Sequence, residues 1–458
     1  MTHGPFSEDE INDLYRKERD HVWHPFTQMK TFDEDENLMM VEGEGFVLRD
    51  VHGREYLDGV SSIWVTVHGH CHPHIVKAVN EQLKRLDFST MLGVSHPRAA
   101  DLADKLSNMT PGDLNRVFYS DNGSTSVEIA MKIAYQHHLQ KDPMDDGRTR
   151  FVSLGNAYHG DTLGAVGVGG IDIFHEKYGP IIHPSLKIPS PYCYRCPLGL
   201  THPECGLECA RQLDDLLERE GDSVAAVVIE PIVQGAGGMI TAPEGHLGMV
   251  AKISRDHNVP LIADEVATGF GKTGRMFACQ HEDVTPDIMC LAKSLSGGVY
   301  PLAATMVSER IYNSFLGQYD QFRSFFHGHT FTGSPVGCAA ALANLELYDM
   351  EATMSKLPGK IRFLEEKLES LMKHQNVGEV RQRGFMIGVE LVKDRESKQP
   401  FDPTLRMGHR ICMRARDRGV LIRPLGDVVV LMPPLGMSTD DLGTLVDAVD
   451  GSLRDEFS

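Results

Sequence analysis

Lys293 occupies a position in this 458-residue chain where a lysine can act as a nucleophile. It follows the apolar run 288–292 (IMCLA) and opens the Gly/Ser turn 294–298, so we expect its side chain to point into a cleft. Partial burial lowers the pKa of a lysine amine from about 10.4 and leaves the amine able to form a Schiff base. A surface lysine whose stem lies along apolar neighbours is the alternative interpretation.

Asp264 and the segment 121–126 provide two groups that complement this amine. Asp264 ends the apolar run 259–263, which places it at the carboxyl edge of a sheet, where α/β proteins bind ligands. Segment 121–126 (DNGSTS) stands between a strand-like run and a helical stretch, and the free amides of a helix N-terminus bind phosphate. A carboxylate beside a pyridine nitrogen makes the ring an electron sink. Lysine, acid and phosphate site together predict pyridoxal phosphate as the cofactor.

Alternating helical and strand-like segments must position these residues. The continuous apolar runs 224–229 and 259–263 are typical of strands buried on both faces of a parallel sheet, and helix–strand alternation predicts a large α/β domain. After about residue 345 the pattern predicts a smaller α+β domain with a hairpin formed by 420–423 and 428–431. We predict three parts, namely 1–75 as a segment joining the small domain, 76–345 as the large cofactor-binding domain and 346–458 as the small domain.

Composition and charge exclude several classes of function. The chain has 45 Lys and Arg against 64 Asp and Glu, a formal net charge of −19, which argues against nucleic acid and anionic membranes as partners. No apolar run approaches the roughly 18 residues of a membrane span. The first residues lack the basic segment and apolar core of a signal peptide. We therefore expect a soluble, cytoplasmic protein.

The run Gly269–Thr273 (GFGKT) resembles the end of a phosphate-binding loop of nucleotidases. That motif requires a glycine five positions before the glycine that precedes Lys272, and Val266 stands there instead. The run also lacks the strand-to-helix turn of such a loop. We therefore reject nucleotide hydrolysis as the function.

Two clusters of metal-ligating residues stand apart from this constellation. The four histidines of 68–74 (HGHCHPH) alternate, but Pro73 indicates a turn and no carboxylate is interleaved, so we predict a packed, hydrogen-bonded cluster. Four cysteines in a C-x2-C and a C-x3-C pair have spacings close to those of zinc sites; they are Cys193, Cys196, Cys205 and Cys209. Their connecting loop is short, so reduced thiols are the alternative to a structural zinc site.

Five motifs occur in the order known from one enzyme family. They are 158–162 (YHGDT), 230–235 (EPIVQG), 264–274 (DEVATGFGKTG), 293–295 (KSL) and 327–333 (HGHTFTG). With these motifs the chain resembles the class III aminotransferases of fold type I over most of residues 21–436. The resemblance implies an α/β fold with a large, mostly parallel mixed-sheet domain and a smaller α+β domain, and it implies a pyridoxal-phosphate-dependent transaminase.

The resemblance also implies roles for individual residues. Lys293 would carry the cofactor and move the proton during catalysis, and Asp264 would bind the pyridine nitrogen. Tyr158 would stack on or beside the ring. Gly123 and Ser124 would hold the phosphate.

A homodimer with its active site at the subunit interface follows from the same resemblance. In the family, the residue corresponding to Thr330 reaches the phosphate of the neighbouring subunit's cofactor. Gly328, two positions earlier, is expected among the substrate-binding residues.

Within the class, the chain resembles the diaminopelargonate aminotransferases of biotin synthesis. The run 23–27 (WHPFT) is similar to the start of that subgroup, and Ala267 stands where many other relatives carry glutamine. The runs 422–424 (IRP) and 431–434 (LMPP) resemble its C-terminal signature. Arg423 would bind the carboxylate of 8-amino-7-oxononanoate, since a guanidinium group pairs with a carboxylate through two hydrogen bonds. The expected product is 7,8-diaminononanoate.

Two departures from the subgroup pattern bear on the amino donor. Phe26 replaces a tyrosine, and Ile63–Trp64 stands where two tryptophans are often found, so Trp64 and Phe26 are expected to line a modified substrate pocket. S-adenosylmethionine is the expected donor, and lysine is the alternative. An ω-amino acid:pyruvate aminotransferase is a second alternative within the family. A non-enzymatic metal-binding protein organised by the four cysteines is an alternative of another class.

Overall fold

The structure is a computed structural model that describes residues 6–32, 37–141 and 143–457. Residues 1–5, on which the expectation of no signal peptide partly rests, lie outside the described residues. The first elements of the chain form a small antiparallel unit beside the main sheet. They are α1 (Glu8–His21), β1 (Met40–Glu44), β2 (Val47–Asp50), β3 (Glu55–Asp58) and a short helical turn, α2 (Ser61–Trp64).

A seven-stranded sheet forms the centre of the molecule. Its strands are β4 (Leu114–Ser120), β5 (Arg150–Leu154), β6 (Leu186–Ile188), β7 (Val224–Ile229), β10 (Leu261–Asp264), β11 (Ile288–Leu291) and β12 (Ala303–Ser308). Their order is β4-β12-β11-β10-β7-β5-β6. β12 is antiparallel to both of its neighbours, and the other neighbouring pairs are parallel. The mixed, mostly parallel sheet is the one predicted.

Helices cover both faces of this sheet, which explains its continuous apolar strands. Ala226 and Val228 pack on one face with residues of the helix 123–140, while Val227 and Ile229 pack into a separate core on the other face. All six residues of β7 are buried. The remaining elements of this part are α3 (Pro73–Arg85), α4 (Pro97–Met109), α5 (Gly123–Gln140), α6 (Leu163–Val168), α7 (Asp172–His175), α8 (Glu208–Glu220), β8 (Val233–Gln234), β9 (Ile240–Thr241), α9 (His246–Asp256), α10 (Glu309–Tyr312) and α11 (Pro335–Met350).

The C-terminal part forms an antiparallel sheet of four strands and also completes the N-terminal sheet. Its elements are α12 (Thr353–Leu368), β13 (Val377–Arg383), β14 (Met386–Leu391), α13 (Met407–Asp417), β15 (Val420–Leu421), β16 (Arg423–Leu425), β17 (Val428–Leu431) and α14 (Thr439–Phe457). β15 pairs in parallel with β3, giving the order β1-β2-β3-β15. The division into 1–75, 76–345 and 346–458 remains a prediction, and this pairing is the contact that favours it.

The predicted hairpin of 420–423 with 428–431 is only partly correct. The strand that pairs with β17 is β16, so the hairpin begins at Arg423. Residues Val420–Leu421 leave the hairpin because they pair with β3, and the amide of Gly59 donates to the carbonyl of Leu421 over 2.9 Å. Pro424 is accommodated because β16 is an edge strand.

Among the described residues, no helix is both long enough and apolar enough to cross a membrane.

A buried ion network joins the C-terminal sheet to the large part. The Arg381 guanidinium is 7% exposed and donates to the carboxylates of Glu379 (2.7 Å) and Glu390 (2.6 Å). It also donates to the main-chain carbonyls of Gly238 and Met239, over 2.9 and 3.0 Å from Nε. One side chain therefore satisfies acceptors on two structural units.

We expect the substitution Arg381→Met to lower the free energy of unfolding by about 3–5 kcal/mol, because it removes a buried cation from the Glu390 carboxylate and the donor of the Gly238 and Met239 carbonyls. Urea titration of the apoprotein, followed by circular dichroism, measures this loss. The matched control is Arg16→Met, which removes an exposed pair with Asp13 and should leave stability nearly unchanged. Equal losses in the two variants would contradict the role of the network.

Candidate active site

One cavity of about 430 Å³ opens at the carboxyl ends of β7, β10 and β11. This is the edge of the sheet where α/β proteins bind ligands. The cavity brings together six of the residues predicted from the sequence: Trp64, Gly123, Ser124, Tyr158, Asp264 and Lys293. Residues that are separated by up to 229 positions along the chain therefore line the same cavity.

Lys293 directly follows β11 and lies in a short 3₁₀ turn, Lys293–Leu295, with a backbone φ of 44°. Burial lowers the pKa of its amine, while the charges of Asp264 and Glu230 oppose that shift. Its Nζ lies 4.7 Å from the centre of the Trp64 ring. The amine is thus held inside the cavity, with a larger neutral fraction than an exposed lysine has.

Asp264 is held through both of its carboxylate oxygens. Its Oδ2 lies 2.8 Å from Nδ1 of His159, and its Oδ1 accepts from the amide of Val266 over 3.0 Å. The side chain of Asp264 is only 5% exposed, and His159 is buried beside it. These contacts fix where the carboxylate lies.

The start of α5 forms the opposite end of the cavity. Asn122 and Thr125 make a capping box, with Oδ1 of Asn122 accepting from the amide of Thr125 over 3.1 Å. Gly123 is required here because a Cβ atom would lie 2.6 Å from Cγ1 of Val266. The first amides of a helix have no intrahelical acceptors, so this end of the cavity suits an anion.

Tyr158 and Glu230 line the cavity between these two ends. The Tyr158 hydroxyl donates to Oδ2 of Asp161 over 2.6 Å, and burial raises the pKa of the phenol. Glu230 accepts from the main-chain amides of Tyr158 (3.0 Å) and Gly235 (2.9 Å). Burial, assisted by the charge of Asp264, raises the pKa of Glu230 to about 7.

A sequence model of the class-III aminotransferases matches residues 31–453. The chain belongs to this family. A relative from Geobacter sulfurreducens named adenosylmethionine-8-amino-7-oxononanoate aminotransferase is 50% identical over 438 residues, which cover 95% of this chain and 96% of the relative. The crystal structure of the enzyme of that name from Methanocaldococcus jannaschii has a TM-score of 0.92 at 39% identity and covers 97% of this chain and 99% of its own.

Transaminases with other names are also similar. An (S)-enantioselective omega-transaminase from Thermomicrobium roseum has a TM-score of 0.92 at 34% identity, covering 98% of this chain and 99% of its own. A PLP-bound amine transaminase from an uncultivated Pseudomonas species has a TM-score of 0.88 at 35% identity, covering 95% and 98%. The predicted family, the fold type I architecture and a pyridoxal-phosphate-dependent aminotransferase are therefore confirmed.

The residues of this aminotransferase cavity fit pyridoxal phosphate. An amine, a fixed carboxylate and a helix N-terminus lie around one space, which are the groups that the aldehyde, the ring nitrogen and the phosphate of this cofactor require. Gly160 supports the phosphate end: its φ is 118°, and a Cβ atom there would lie 2.0 Å from Oγ of Ser124. That hydroxyl accepts from the amide of Asp161 over 3.2 Å.

Sequence reasoning missed three residues of the aminotransferase site. Val266 lines the cavity against Gly123, although its position in the sequence indicated only that the run 269–273 is not a phosphate-binding loop. Glu230 and His159 each stand in a quoted motif, yet no role was predicted for them. Glu230 could have been predicted from its position, because it directly follows the buried strand β7 just as Asp264 ends β10.

Four predicted residues lie outside the lining of this cavity. Phe26 is exposed, with its ring 5.2 Å from that of Phe174, which in turn lies 6.3 Å from the Tyr158 ring. Arg423 is exposed on β16, and Gly328 and Thr330 are exposed in the segment before α11. Their predicted roles in binding substrate or the partner's cofactor remain predictions.

The four clustered cysteines line a second, smaller cavity together with His202 and Glu208. All four are free thiols: Cys193, Cys196, Cys205 and Cys209. Within residues 6–32, 37–141 and 143–457, no three His, Cys, Asp or Glu side chains are arranged to hold a metal ion. The zinc hypothesis drawn from their spacing therefore gains no support from the structure.

The predicted histidine cluster is confirmed as a hydrogen-bonded one. His68 and His72 both contact the carboxylate of Glu351, over 2.7 and 3.2 Å. His70 contacts Asp58 over 2.9 Å. The carboxylates come from other parts of the chain, which is why none was seen between the histidines.

The raised pKa of Glu230 predicts a specific pH dependence of stability. Between its ordinary value of 4.5 and about 7, folded Glu230 binds more protons than unfolded Glu230, so its contribution falls as pH rises. In the apoprotein, we expect the unfolding free energy of wild type relative to Glu230→Gln to fall by up to about 3 kcal/mol over this window and to stay level above it.

Urea titrations of both apoproteins at several pH values measure this difference. The matched control is Glu81→Gln, at an exposed position on α3, whose difference from wild type should not change with pH. A pH-independent difference for Glu230→Gln would contradict the buried, protonated carboxyl.

Proposed function

We propose that this aminotransferase converts 8-amino-7-oxononanoate to 7,8-diaminononanoate in biotin biosynthesis, with S-adenosylmethionine as the amino donor. The observation that carries the proposal is the cavity that contains Lys293 and Asp264, in a chain 40–50% identical to several enzymes of that name over at least 94% of its length. The proposal includes small-molecule substrates, a cytoplasmic location and a homodimer.

The roles we propose for the site residues follow from their contacts. Pyridoxal phosphate, when bound, supplies an electron sink for the carbon that exchanges its amino group. Asp264 lies at a fixed position, where its carboxylate would keep the ring nitrogen protonated. Gly123 and Ser124 would bind the phosphate through the free amides of α5. Tyr158 would flank the ring.

Lys293 would act as the general base and acid. A catalytic group moves protons well when its pKa lies near the working pH, and burial shifts the Lys293 amine in that direction. The amine would remove the proton from the substrate carbon and return it to the cofactor side, and then reverse these steps in the second half-reaction.

The substrate side of the pocket supports a long amino-keto acid. Ala267 lines the cavity, and its small side chain leaves room that a glutamine would fill. Trp64 forms an apolar wall over Lys293. Arg423 would bind the distal carboxylate, and Phe26 and Gly328 would complete the pocket at its mouth. Lysine as the donor is the alternative within this function.

A second candidate is an ω-amino acid:pyruvate aminotransferase. The likeness to omega-transaminases at a TM-score of 0.92 favours it, since these proteins share the fold and differ in substrate. The pattern of Ala267 and 23–27 favours the biotin reaction, so we keep that as the first choice.

The homodimer is supported by exposed apolar residues in the segments 88–92 and 319–331. Leu92, Tyr319 and Phe326 are 90%, 94% and 74% exposed. The exposed Phe88 and Phe331 contact each other with ring centres 5.5 Å apart. Large exposed apolar groups of this kind mark interaction surfaces. A second copy covering them would place Thr330 close to the partner's cofactor phosphate.

The substrate assignment is tested with purified protein loaded with pyridoxal phosphate. We expect 8-amino-7-oxononanoate with S-adenosylmethionine to give 7,8-diaminononanoate, measured by mass spectrometry, and pyruvate to be a poor acceptor. The parallel assay with lysine identifies the donor. Activity with pyruvate and none with the amino-keto acid would overturn the proposal in favour of the second candidate.

The proposed role of Lys293 predicts the behaviour of Lys293→Ala. We expect turnover to fall by at least about 10³-fold, because the general base and acid is lost. Borohydride should no longer attach the cofactor covalently to the protein. Lys252→Ala, at an exposed position on α9, serves as the control and should retain both properties.

The shared site predicts complementation between two inactive variants. We expect Lys293→Ala and Thr330→Val proteins, once mixed into heterodimers, to regain activity. One of the two sites would then contain both Lys293 and the other chain's Thr330. Mixtures that gain no activity, although heterodimers form by native mass spectrometry, would contradict a site shared in this way.

A further inference from the structure

Lys272 is a fully buried lysine for which the chemistry above has no use. Its exposure is 0%, and it belongs to the GFGKT run that resembled a phosphate-binding loop. Its Nζ donates to Oγ of Ser61 over 3.1 Å and to the carbonyl of Thr66 over 3.2 Å. Burial lowers the pKa of this amine to about 7, against the opposing charge of Asp58. A neutral amine still donates, so both hydrogen bonds persist in either protonation state.

The two acceptors of Lys272 are the two ends of a strained segment, 61–66. Ser61, Ser62 and Trp64 have backbone φ angles of 52°, 60° and 64°, in the left-handed region that non-glycine residues rarely occupy. Such a backbone persists only where surrounding contacts impose it. Oγ of Ser61 donates to the carbonyl of Met432 over 2.6 Å, and Lys272 completes the attachment at both ends.

The strained segment determines where Trp64 lies. The Trp64 ring is 4.7 Å from Nζ of Lys293 on one side. A Cβ atom on Gly235 would lie 3.1 Å from Cζ3 of the ring. The ring therefore lies close to both Lys293 and the chain at Gly235, and it forms one wall of the cavity.

The backbone of Lys272, and not its amine, connects this loop to the C-terminal part of the chain. Its carbonyl accepts from the amide of Phe385 over 2.8 Å, which joins this loop to the C-terminal sheet. The amine contacts only the segment that bears Trp64 among the hydrogen bonds described above. Removing the amine should therefore loosen the segment and leave the inter-sheet contact in place.

We propose that Lys272 is a positioning residue, which fixes the segment 61–66 and so holds the Trp64 ring against Lys293 as the substrate-side wall of the cavity. The inference rests on the proposed function only where it assigns Trp64 to the substrate pocket. The positioning itself concerns contacts within this chain and can be measured without turnover.

The tryptophan content allows a direct test. The chain has two tryptophans, and Trp23 is 88% exposed, so the background Trp23→Phe leaves Trp64 as the single reporter. In full-length protein, with and without pyridoxal phosphate, we expect Lys272→Met to raise the acrylamide quenching constant of Trp64 about twofold and to lower its fluorescence anisotropy, because the ring gains motion.

Two further variants keep this test decisive. Lys360→Met removes a half-buried lysine whose Nζ donates to the carbonyl of Leu435 over 2.8 Å, and it should leave the Trp64 signal unchanged. Ser61→Ala keeps Lys272 but removes one of its acceptors together with the hydrogen bond to Met432, and it should shift the signal in the same direction as Lys272→Met. If Lys272→Met does not fold, the quenching of Trp64 in the Ser61→Ala protein is the test. Unchanged quenching in a folded Lys272→Met or Ser61→Ala protein overturns the inference.

Kinetics supply the second measurement. We expect Lys272→Met to raise KM for 8-amino-7-oxononanoate about tenfold with kcat within about threefold of wild type. In a Trp64→Phe background, the same substitution should add little, since residues acting through one side chain are not additive. If Lys272→Met raises KM by the same factor in the Trp64→Phe background as in wild type, the inference is overturned. If the keto acid is not a substrate, the proposed function fails, while the fluorescence result still decides the role of Lys272.

Discussion

Burial of the central sheet on both faces is the constraint on which the active site depends. Strands β7, β10 and β11 cannot carry charged side chains in their interiors, because helices cover both sides. The first positions that can hold such groups are the carboxyl ends, where Glu230, Asp264 and Lys293 lie. The same burial raises the pKa of the Glu230 carboxyl and lowers that of the Lys293 amine. Fold and reactivity thus have one physical origin.

Main-chain amides help to fix both acidic groups of this site. Glu230 accepts from the amides of Tyr158 and Gly235, and Asp264 accepts from the amide of Val266. Amides are neutral donors, so they orient a carboxylate without cancelling its charge. Asp264 can therefore remain available to a cationic ring nitrogen in the middle of a protein core.

The sequence allowed prediction of those features that depend on local pattern. Apolar runs located the strands, and their ends located Asp264 and Lys293. The polar run at 121–126 located the start of α5. Contacts between distant segments could not be predicted in this way: the amine of Lys272 meets Ser61 at a separation of 211 residues, and Glu230 meets Tyr158 at 72. The shortened hairpin at 423 has the same cause, since a local pattern does not reveal that β15 pairs with β3.

The pairing of β3 with β15 affects the order in which parts of the protein can fold during synthesis. The segment that bears Trp64 follows β3, and Oγ of Ser61 donates to the carbonyl of Met432, which lies 371 residues later in the chain. During synthesis, the early segment must wait until nearly the whole chain has left the ribosome before it acquires these partners. By contrast, the hydrogen bonds described for Glu230, Asp264 and the cap of α5 join partners within residues 122–266. One wall of the cavity is therefore the last part of the catalytic centre to form, and a truncated product would lack it.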